Sequence, residues 1–269
     1  MKITNNWFPF GYNRDSKKAR VFCFHYAGGS AAAFKHWTIS CLTVEFIPVE
    51  LPGKGTRISE PCFEKFDCLI EELLSGLMTA INNRPFYFFG HSMGAIIAFE
   101  AAYQLKCKYG IQPEKLIVAG RHAPHHPDPS MFKSHMDDEA LIGELKRLNG
   151  TPREIMENKE ILQFLLPIIR SDYRLHESYC YRGQKLNLPI IAHAGKRDYE
   201  ANAAIMKYWN EVTDGPFALK EFDGNHFFVQ NLGEEYLSEL IRAVSRNDYG
   251  ERSLYTVWNA QHSVKHHNY

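Results

Sequence analysis

Apolar positions along this chain fall into short continuous runs that alternate with longer stretches of helical spacing. Arg20–His25 (RVFCFH) is one short run, closed by the Gly28-Gly29 turn, and Val44–Leu51 is a second, closed by Pro52-Gly53. From Phe66 the apolar residues fall at Leu69, Ile70, Leu73, Leu74, Leu77, Met78 and Ile81. Alternating steps of three and one are the stripe of an amphipathic helix with one face on a core. Pro85 then opens Phe86–Phe89, four aromatic residues without polar alternation, as a central parallel strand buried on both faces requires. The helical segment after it (Ala95, Ile96, Ile97, Ala98, Phe99, Ala101, Ala102) is apolar nearly all round and is expected to be buried. Lys115–Gly120, Leu188–Ala194 and Phe217–Phe222 read as further strands, with helical patterns at about 201–212 and 234–244 after the last two. This alternation predicts an α/β fold with a mostly parallel, doubly wound sheet.

One stretch departs from that rhythm. Between about 122 and 187 no strand pattern occurs. A Pro/His-rich loop (Ala123–Pro129) leads into two or three helical segments, so this region reads as a helical insertion in a single domain spanning 1–245. Residues 246–269 are polar and weakly patterned, and a frayed tail is expected there.

Composition narrows the classes of partner. The 269 residues carry 31 Lys plus Arg and 31 Asp plus Glu, so no bulk charge draws the chain to nucleic acid or to a membrane surface. The N-terminus lacks the basic start and apolar run of a secretory signal, and no apolar stretch is long enough to span a bilayer. The six cysteines (Cys23, Cys41, Cys62, Cys68, Cys107, Cys180) are scattered, with no C-x-x-C pair, and read as free thiols of a reducing cytosol. A cytoplasmic monomer is the expectation.

The chemistry centres on Gly90-His91-Ser92-Met93-Gly94. A G-x-S-x-G run between an apolar strand and a small-residue helix has the strand–turn–helix context of a nucleophile elbow. Its glycines remove Cβ atoms that would clash in the tight turn, and Ser92 stands at a helix N-terminus, where the dipole favours developing negative charge. The alternative is an ordinary strand-to-helix turn with a capping serine. A serine hydroxyl needs a base, and the base needs an orienting acid. Asp198 follows the strand Leu188–Ala194, and His226 follows the strand Phe217–Phe222, in the chain order Ser, Asp, His of an α/β-hydrolase. Asp223 is nearer to His226 in sequence but reads as part of the turn. The oxyanion hole is expected from the backbone N–H of Met93 and from that of Ala27, in the loop after the first core strand. His122, His125, His126 and His135 lack the spacing of a metal site and read as a solvated loop, so neither metal nor cofactor is expected.

These residues resemble the stand-alone type II thioesterases of nonribosomal peptide and polyketide assembly lines, over nearly the whole chain from about 20 to 244. The resemblance rests on Phe24-His25-Tyr26-Ala27-Gly28-Gly29-Ser30, Glu50-Leu51-Pro52-Gly53-Lys54-Gly55-Thr56-Arg57 and Phe89-Gly90-His91-Ser92-Met93-Gly94-Ala95. It also rests on Gly195-x-x-Asp198, Gly224-x-His226-Phe227-Phe228 and Leu166-Pro167-Ile168-Ile169-Arg170-Ser171-Asp172-Tyr173. Two residues depart from the family pattern. His25 stands where proline is usual, and Lys54 stands where arginine is usual, which keeps the charge but loses the bidentate fork. The resemblance implies a substrate, an acyl thioester on the phosphopantetheine arm of an acyl or peptidyl carrier protein. It also implies that the helical insertion acts as a lid, and it leaves Arg57 as either a structural ion-pair partner or a rim contact to the carrier. A thiolate leaves readily, since a thiol has a pKa of roughly 8.5. The alternatives are a medium-chain fatty-acyl thioesterase, a carboxylesterase or acyltransferase on the same triad, and a non-catalytic carrier-binding protein.

Overall fold

A computed structural model of the protein describes residues 2–40, 43–81 and 84–245. The expected tail and Cys41 lie outside the described residues. β1 (Lys2–Asn5) and β2 (Phe8–Asn13) pair antiparallel with each other. They are followed by β3 (Ala19–Phe24), a short helix α1 (Trp37–Ser40), β4 (Val44–Pro48), α2 (Phe66–Ala80), β5 (Phe86–His91), α3 (Met93–Tyr109) and β6 (Leu116–Ala119). The helices α4 (Asp138–Leu148), α5 (Arg153–Glu157) and α6 (Lys159–Glu177) come next, before β7 (Ile190–Gly195), α7 (Ala203–Met206), β8 (Phe217–Phe222), α8 (Phe228–Asn231) and α9 (Glu234–Ser245).

Among the described residues, one six-stranded sheet has the order β4-β3-β5-β6-β7-β8, with every neighbouring pair parallel. The doubly wound α/β sheet expected from the alternation is therefore present. Its pleat explains the unbroken apolar runs. Phe22, Phe24, Phe88, Leu116 and Val118 enter one core, with α2 and α3, while Val21, Cys23, Phe89, Ile117 and Ala119 enter another, with α9. A strand covered on both faces has no position left for a polar residue. The α2 stripe is buried as expected except at Met78, which is exposed, and Ile81, which is half-buried just past the end of the helix. Cys23 is buried and free, and Cys62, Cys68, Cys107 and Cys180 are free as well.

The β1–β2 pair has no counterpart in the sequence reading. Its first strand is KITN and its second contains Pro9 and Gly11, so the apolar alternation that marks a strand is too short to register. Between β6 and β7 the chain is helical, and Phe132, Leu141, Leu145, Leu162, Leu166 and Ile169 form a small core of their own there. Asp137 caps α4, accepting from the Ala140 N–H at 2.8 Å, and Asn158 caps α6 by accepting from Glu160 and Ile161. None of the described helices is long and apolar enough to cross a membrane.

The chain moves from β3 to β4 at the edge and then crosses back to β5 on the other side of β3. The carboxyl ends of β3 and β5 thus flank a topological switch point, where open α/β sheets bind ligands.

Candidate active site

Ser92 occupies that switch point, between β5 and α3, with φ 55° and ψ −120°. This backbone conformation is costly for a residue with a Cβ, on the order of 1–3 kcal/mol, and it persists because the surroundings fix it. The Ser92 N–H donates to the Ala119 carbonyl at 2.8 Å, and the turn is packed too tightly for side chains beside it. A Cβ on Gly90 would stand 2.2 Å from the Gly94 carbonyl oxygen, and one on Gly94 would stand 2.1 Å from that of Phe24. Both glycines are therefore sterically required, as the sequence predicted.

The three predicted side chains converge. The Ser92 hydroxyl donates to His226 Nε2 at 3.0 Å, and His226 Nδ1–H donates to Asp198 Oδ2 at 2.9 Å. The other Asp198 oxygen accepts from the Glu200 and Ala201 amides at 3.0 and 3.2 Å. Burial alone would raise the Asp198 carboxyl, but the His226 hydrogen bond and charge, with those two amides, outweigh it and hold the group below the ordinary carboxylate range. Asp198 is thus an anion that fixes the imidazole tautomer. Asp223 faces solvent in an ion pair with Arg197, as its reading as a turn residue requires.

His91, the variable position of the G-x-S-x-G run, also supports the site. It is fully buried, and its Nε2–H donates to the His226 backbone carbonyl at 2.9 Å while Nδ1 accepts from Gln230. Burial, reinforced by the His226 charge, pushes this ring down to about 3, so it stays a neutral strut under the catalytic loop.

Ala27 and Met93 line the same cavity as Ser92 and His226. The loop carrying Ala27 is held from three directions. The Gly28 N–H donates to Asp172 Oδ2 at 2.7 Å, the Gly29 N–H to the Tyr26 carbonyl at 3.0 Å, and the Ala31 N–H to Glu50 Oε1 at 2.8 Å. Asp172 belongs to α6, so the helical insertion touches the loop directly. Lys54 explains this buried carboxylate: its Nζ lies 2.8 Å from Asp172 Oδ1 and donates to the Ile168 carbonyl at 3.2 Å. A compact ammonium therefore satisfies the insertion where the family pattern has a guanidinium. His25, the other departure, uses Nδ1 against the Tyr26 carbonyl at 2.9 Å and is kept neutral mainly by burial. Arg57 is structural, with Nε and Nη2 on Glu60, Nη1 on the Glu50 carbonyl and the guanidinium over the Trp7 ring.

The cavity, about 210 Å³, opens from Ser92 under α4–α6. Leu145, Ile155, Leu165, Ile169 and Phe227 give it apolar walls, and Arg121, Asp128, Tyr173, His176 and Glu200 also reach it. The solvated-loop reading of the histidines needs correction here. His135 is exposed, but His122 is buried and faces Asp128 and His176. His125 pairs with Glu211, and His126 stacks on Tyr208. Spacing along the chain does not reveal the cluster, because His176 comes from α6, more than fifty residues away. The ligating atoms of His122, Asp128 and His176 lie within 4.8 Å of one another. The guanidinium of Arg121 already stands among them, 3.8 Å from Asp128 and against His176 Nε2, so a metal ion there would meet its repulsion.

Comparison with known proteins agrees with this geometry. The thioesterase domain family model matches residues 19–247. The chain is 40% identical over 239 residues to linear gramicidin dehydrogenase LgrE of Brevibacillus parabrevis, an alignment covering 87% of this chain and 90% of that one. It is 35% identical over 240 residues to the gramicidin S biosynthesis protein GrsT of Aneurinibacillus migulanus, covering 88% and 93%. Among solved structures, the type II thioesterase BorB from the borrelidin biosynthetic cluster aligns with a TM-score of 0.79 and 32% identity, covering 91% of this chain and all of that one. The fold is that of the α/β-hydrolases, and the chain belongs to the thioesterase domain family.

Proposed function

We propose that the protein is a serine thioester hydrolase that removes stalled or aberrant acyl groups from the phosphopantetheine arms of carrier proteins in nonribosomal peptide or polyketide biosynthesis. The observation that carries this reading is the unbroken relay Ser92–His226–Asp198 opening into a closed-over cavity. The names of the relatives, GrsT in gramicidin S biosynthesis and BorB in the borrelidin cluster, support the carrier-bound substrate. The redox activity in the name of the LgrE relative is said of that protein. A serine at positive φ against an imidazole suits acyl transfer.

The reaction runs in two halves. Ser92 Oγ attacks the thioester carbonyl carbon while His226 Nε2 takes its proton, and the imidazolium is stabilised by Asp198. The carbonyl oxygen becomes an oxyanion held by the Ala27 and Met93 N–H groups. Met93 is the first residue of α3, where helix N–H groups lack partners in a preceding turn. Collapse of the tetrahedral adduct breaks the C–S bond, and the pantetheine thiolate leaves with the proton from His226. Water then attacks the acyl-serine with His226 as base, releasing the carboxylic acid and restoring Ser92.

No further cofactor enters this scheme, since the pantetheine arm arrives with the substrate. The protein acts in it as a cytoplasmic monomer that engages one carrier at a time. The test compares kcat/KM for a carrier-bound acyl thioester with that for the p-nitrophenyl ester of the same acid. The thioester is expected to be the better substrate, and a higher value for the oxygen ester would overturn the assignment.

A further inference from the structure

The cavity beyond the triad is not the uniformly apolar sleeve that a plain alkyl chain would need. Arg121 lies immediately beyond β6, the strand next to the nucleophile strand, and its side chain lines the cavity together with Ser92. Its residue is 8% exposed, and its backbone is fixed by the Trp209 indole N–H, which donates to the Arg121 carbonyl at 2.6 Å. The guanidinium, however, has a single hydrogen-bond acceptor among the described residues, a His176 ring nitrogen that takes Nη2. Nε is buried with no hydrogen-bond partner among the described residues. The Asp128 carboxylate stands 3.8 Å from Nη2, beyond hydrogen-bond distance. Nη2 lies against His176 Nε2, a ring kept neutral chiefly by burial.

The nearby acids, by contrast, already have partners. Asp128 takes Lys133 Nζ at 3.0 Å and the Ser130 N–H at 3.1 Å. Glu144 and Glu200 share Arg147, with Glu144 also accepting from the Ser130 hydroxyl. A buried donor without an acceptor is destabilising, and buried polar groups in folded proteins are almost always satisfied. Nε is closed off from the cavity, but Nη1 makes no hydrogen bond among the described residues and keeps some accessible surface, so its acceptor can come from the occupant.

Charge decides what kind of acceptor. Arg121, Lys133 and Arg147 are formally balanced by Asp128, Glu144 and Glu200. A neutral oxygen would engage the guanidinium without disturbing that balance. A carboxylate would place a fourth negative charge beside Asp128 and Glu200, both of which face the same space.

We propose that Arg121 forms an acceptor-binding subsite that selects acyl groups carrying a neutral oxygen, such as a keto or amide carbonyl, beyond the thioester carbonyl. The proposal rests on the thioester-hydrolase reading and narrows its substrate class from acyl groups in general to oxygenated ones.

The experiment uses pantetheine thioesters of two matched sets. Pentanoyl, 4-oxopentanoyl and succinyl are close in size and differ in having no acceptor, a neutral one or an anionic one. Butanoyl and 3-oxobutanoyl repeat the neutral comparison one carbon closer to Ser92. kcat/KM is measured for the wild type, Arg121→Leu and Arg121→Gln, and each oxo/alkyl ratio is compared between proteins so that intrinsic reactivity cancels. In at least one set, Arg121→Leu is expected to lower the ratio about tenfold or more, the scale of a lost hydrogen bond to a charged donor, and Arg121→Gln is expected to lower it less. A second measurement leaves Arg121 untouched: Ser92→Ala should bind the preferred oxo thioester about tenfold more tightly than its alkyl partner. Ratios that stay within about twofold in both variants, equal affinities in Ser92→Ala, or a preference for succinyl over 4-oxopentanoyl would each overturn the subsite. Failure of the wild type to hydrolyse any of the thioesters would instead remove the thioesterase reading, and the subsite with it.

Discussion

The sheet and the helical insertion contribute to the same cavity in different ways. Ser92, Asp198 and His226 each stand just beyond a strand of a sheet packed on both faces, so their positions follow from backbone held in two cores. The insertion packs on a smaller core of its own and reaches the site through single side chains: Asp172 on the Gly28 N–H, Ile169 against Gly28, and the polar groups around Arg121. Chemistry that tolerates little displacement is built on the rigid element. Most of the cavity wall beyond the triad is carried by the insertion, with Arg121 reaching in from the end of β6.

The largest effect should come from the sheet side. Asp198→Asn keeps the size of the side chain but removes the anion that sets the His226 tautomer, and kcat is expected to fall by on the order of 10³–10⁴. Steady-state kinetics on an acyl thioester checks this, and a loss smaller than tenfold would mean that another acid orients His226.

The link between the two regions should give the next effect. Asp172→Asn removes the negative charge that faces Lys54 and weakens the hold on Gly28. Breaking a buried pair by changing one partner costs about 3–5 kcal/mol, which urea unfolding reads directly. Because the proposed oxyanion hole uses this loop, kcat should fall about tenfold while KM moves less. A change confined to KM would show that the insertion only admits substrate.

Acid should find a weakness in the sheet region. Burial pushes His91 and His193 each down to about 3, whereas an unfolded imidazole titrates near ~6.5. As pH falls below that value the unfolded chain takes up protons that the folded protein refuses. The stability is therefore complete above the unfolded value and is lost progressively toward about pH 3. His193→Gln removes one such group, and its stability should fall less steeply between roughly pH 6 and 4, by up to about 1.4 kcal/mol per pH unit. Parallel profiles for the variant and the wild type would contradict a buried neutral His193.

The smallest effect concerns the strain at the nucleophile. Ser92→Gly should abolish turnover yet raise stability by up to about 1 kcal/mol, since glycine adopts the positive φ without the Cβ penalty. Loss of stability instead would show that the Ser92 side chain supports the turn.

The same division explains what could be read from the sequence. The central strands announced themselves because a strand buried on both faces is a local apolar run; Asp198 was found by its place after such a run, and His226 by its place after the half-buried edge strand β8. The G-x-S-x-G glycines were predictable because the turn admits no Cβ. The β1–β2 pair escaped because its strands are short and interrupted by Pro9 and Gly11. The polar end of the cavity escaped for a different reason. Arg121 and Asp128, Tyr173 and His176, and Glu200 come from three separate segments and meet only once the insertion has folded over the sheet. One signal was available: Arg121 follows a strand's carboxyl end, where ligands bind in this kind of sheet. His122 was misread as solvated because its neighbours in space, Asp128 and His176, carry no shared spacing in the chain.

The central claim is that Ser92 becomes acylated by a carrier-bound thioester. Rapid mixing of the protein with an acyl carrier protein, acid quenching and intact-mass analysis would measure it directly. A transient increase in protein mass equal to the acyl group is expected, located on the peptide containing Ser92 and missing from Ser92→Ala. Hydrolysis of the thioester by Ser92→Ala at the wild-type rate, or an acyl adduct on any other residue, would contradict it.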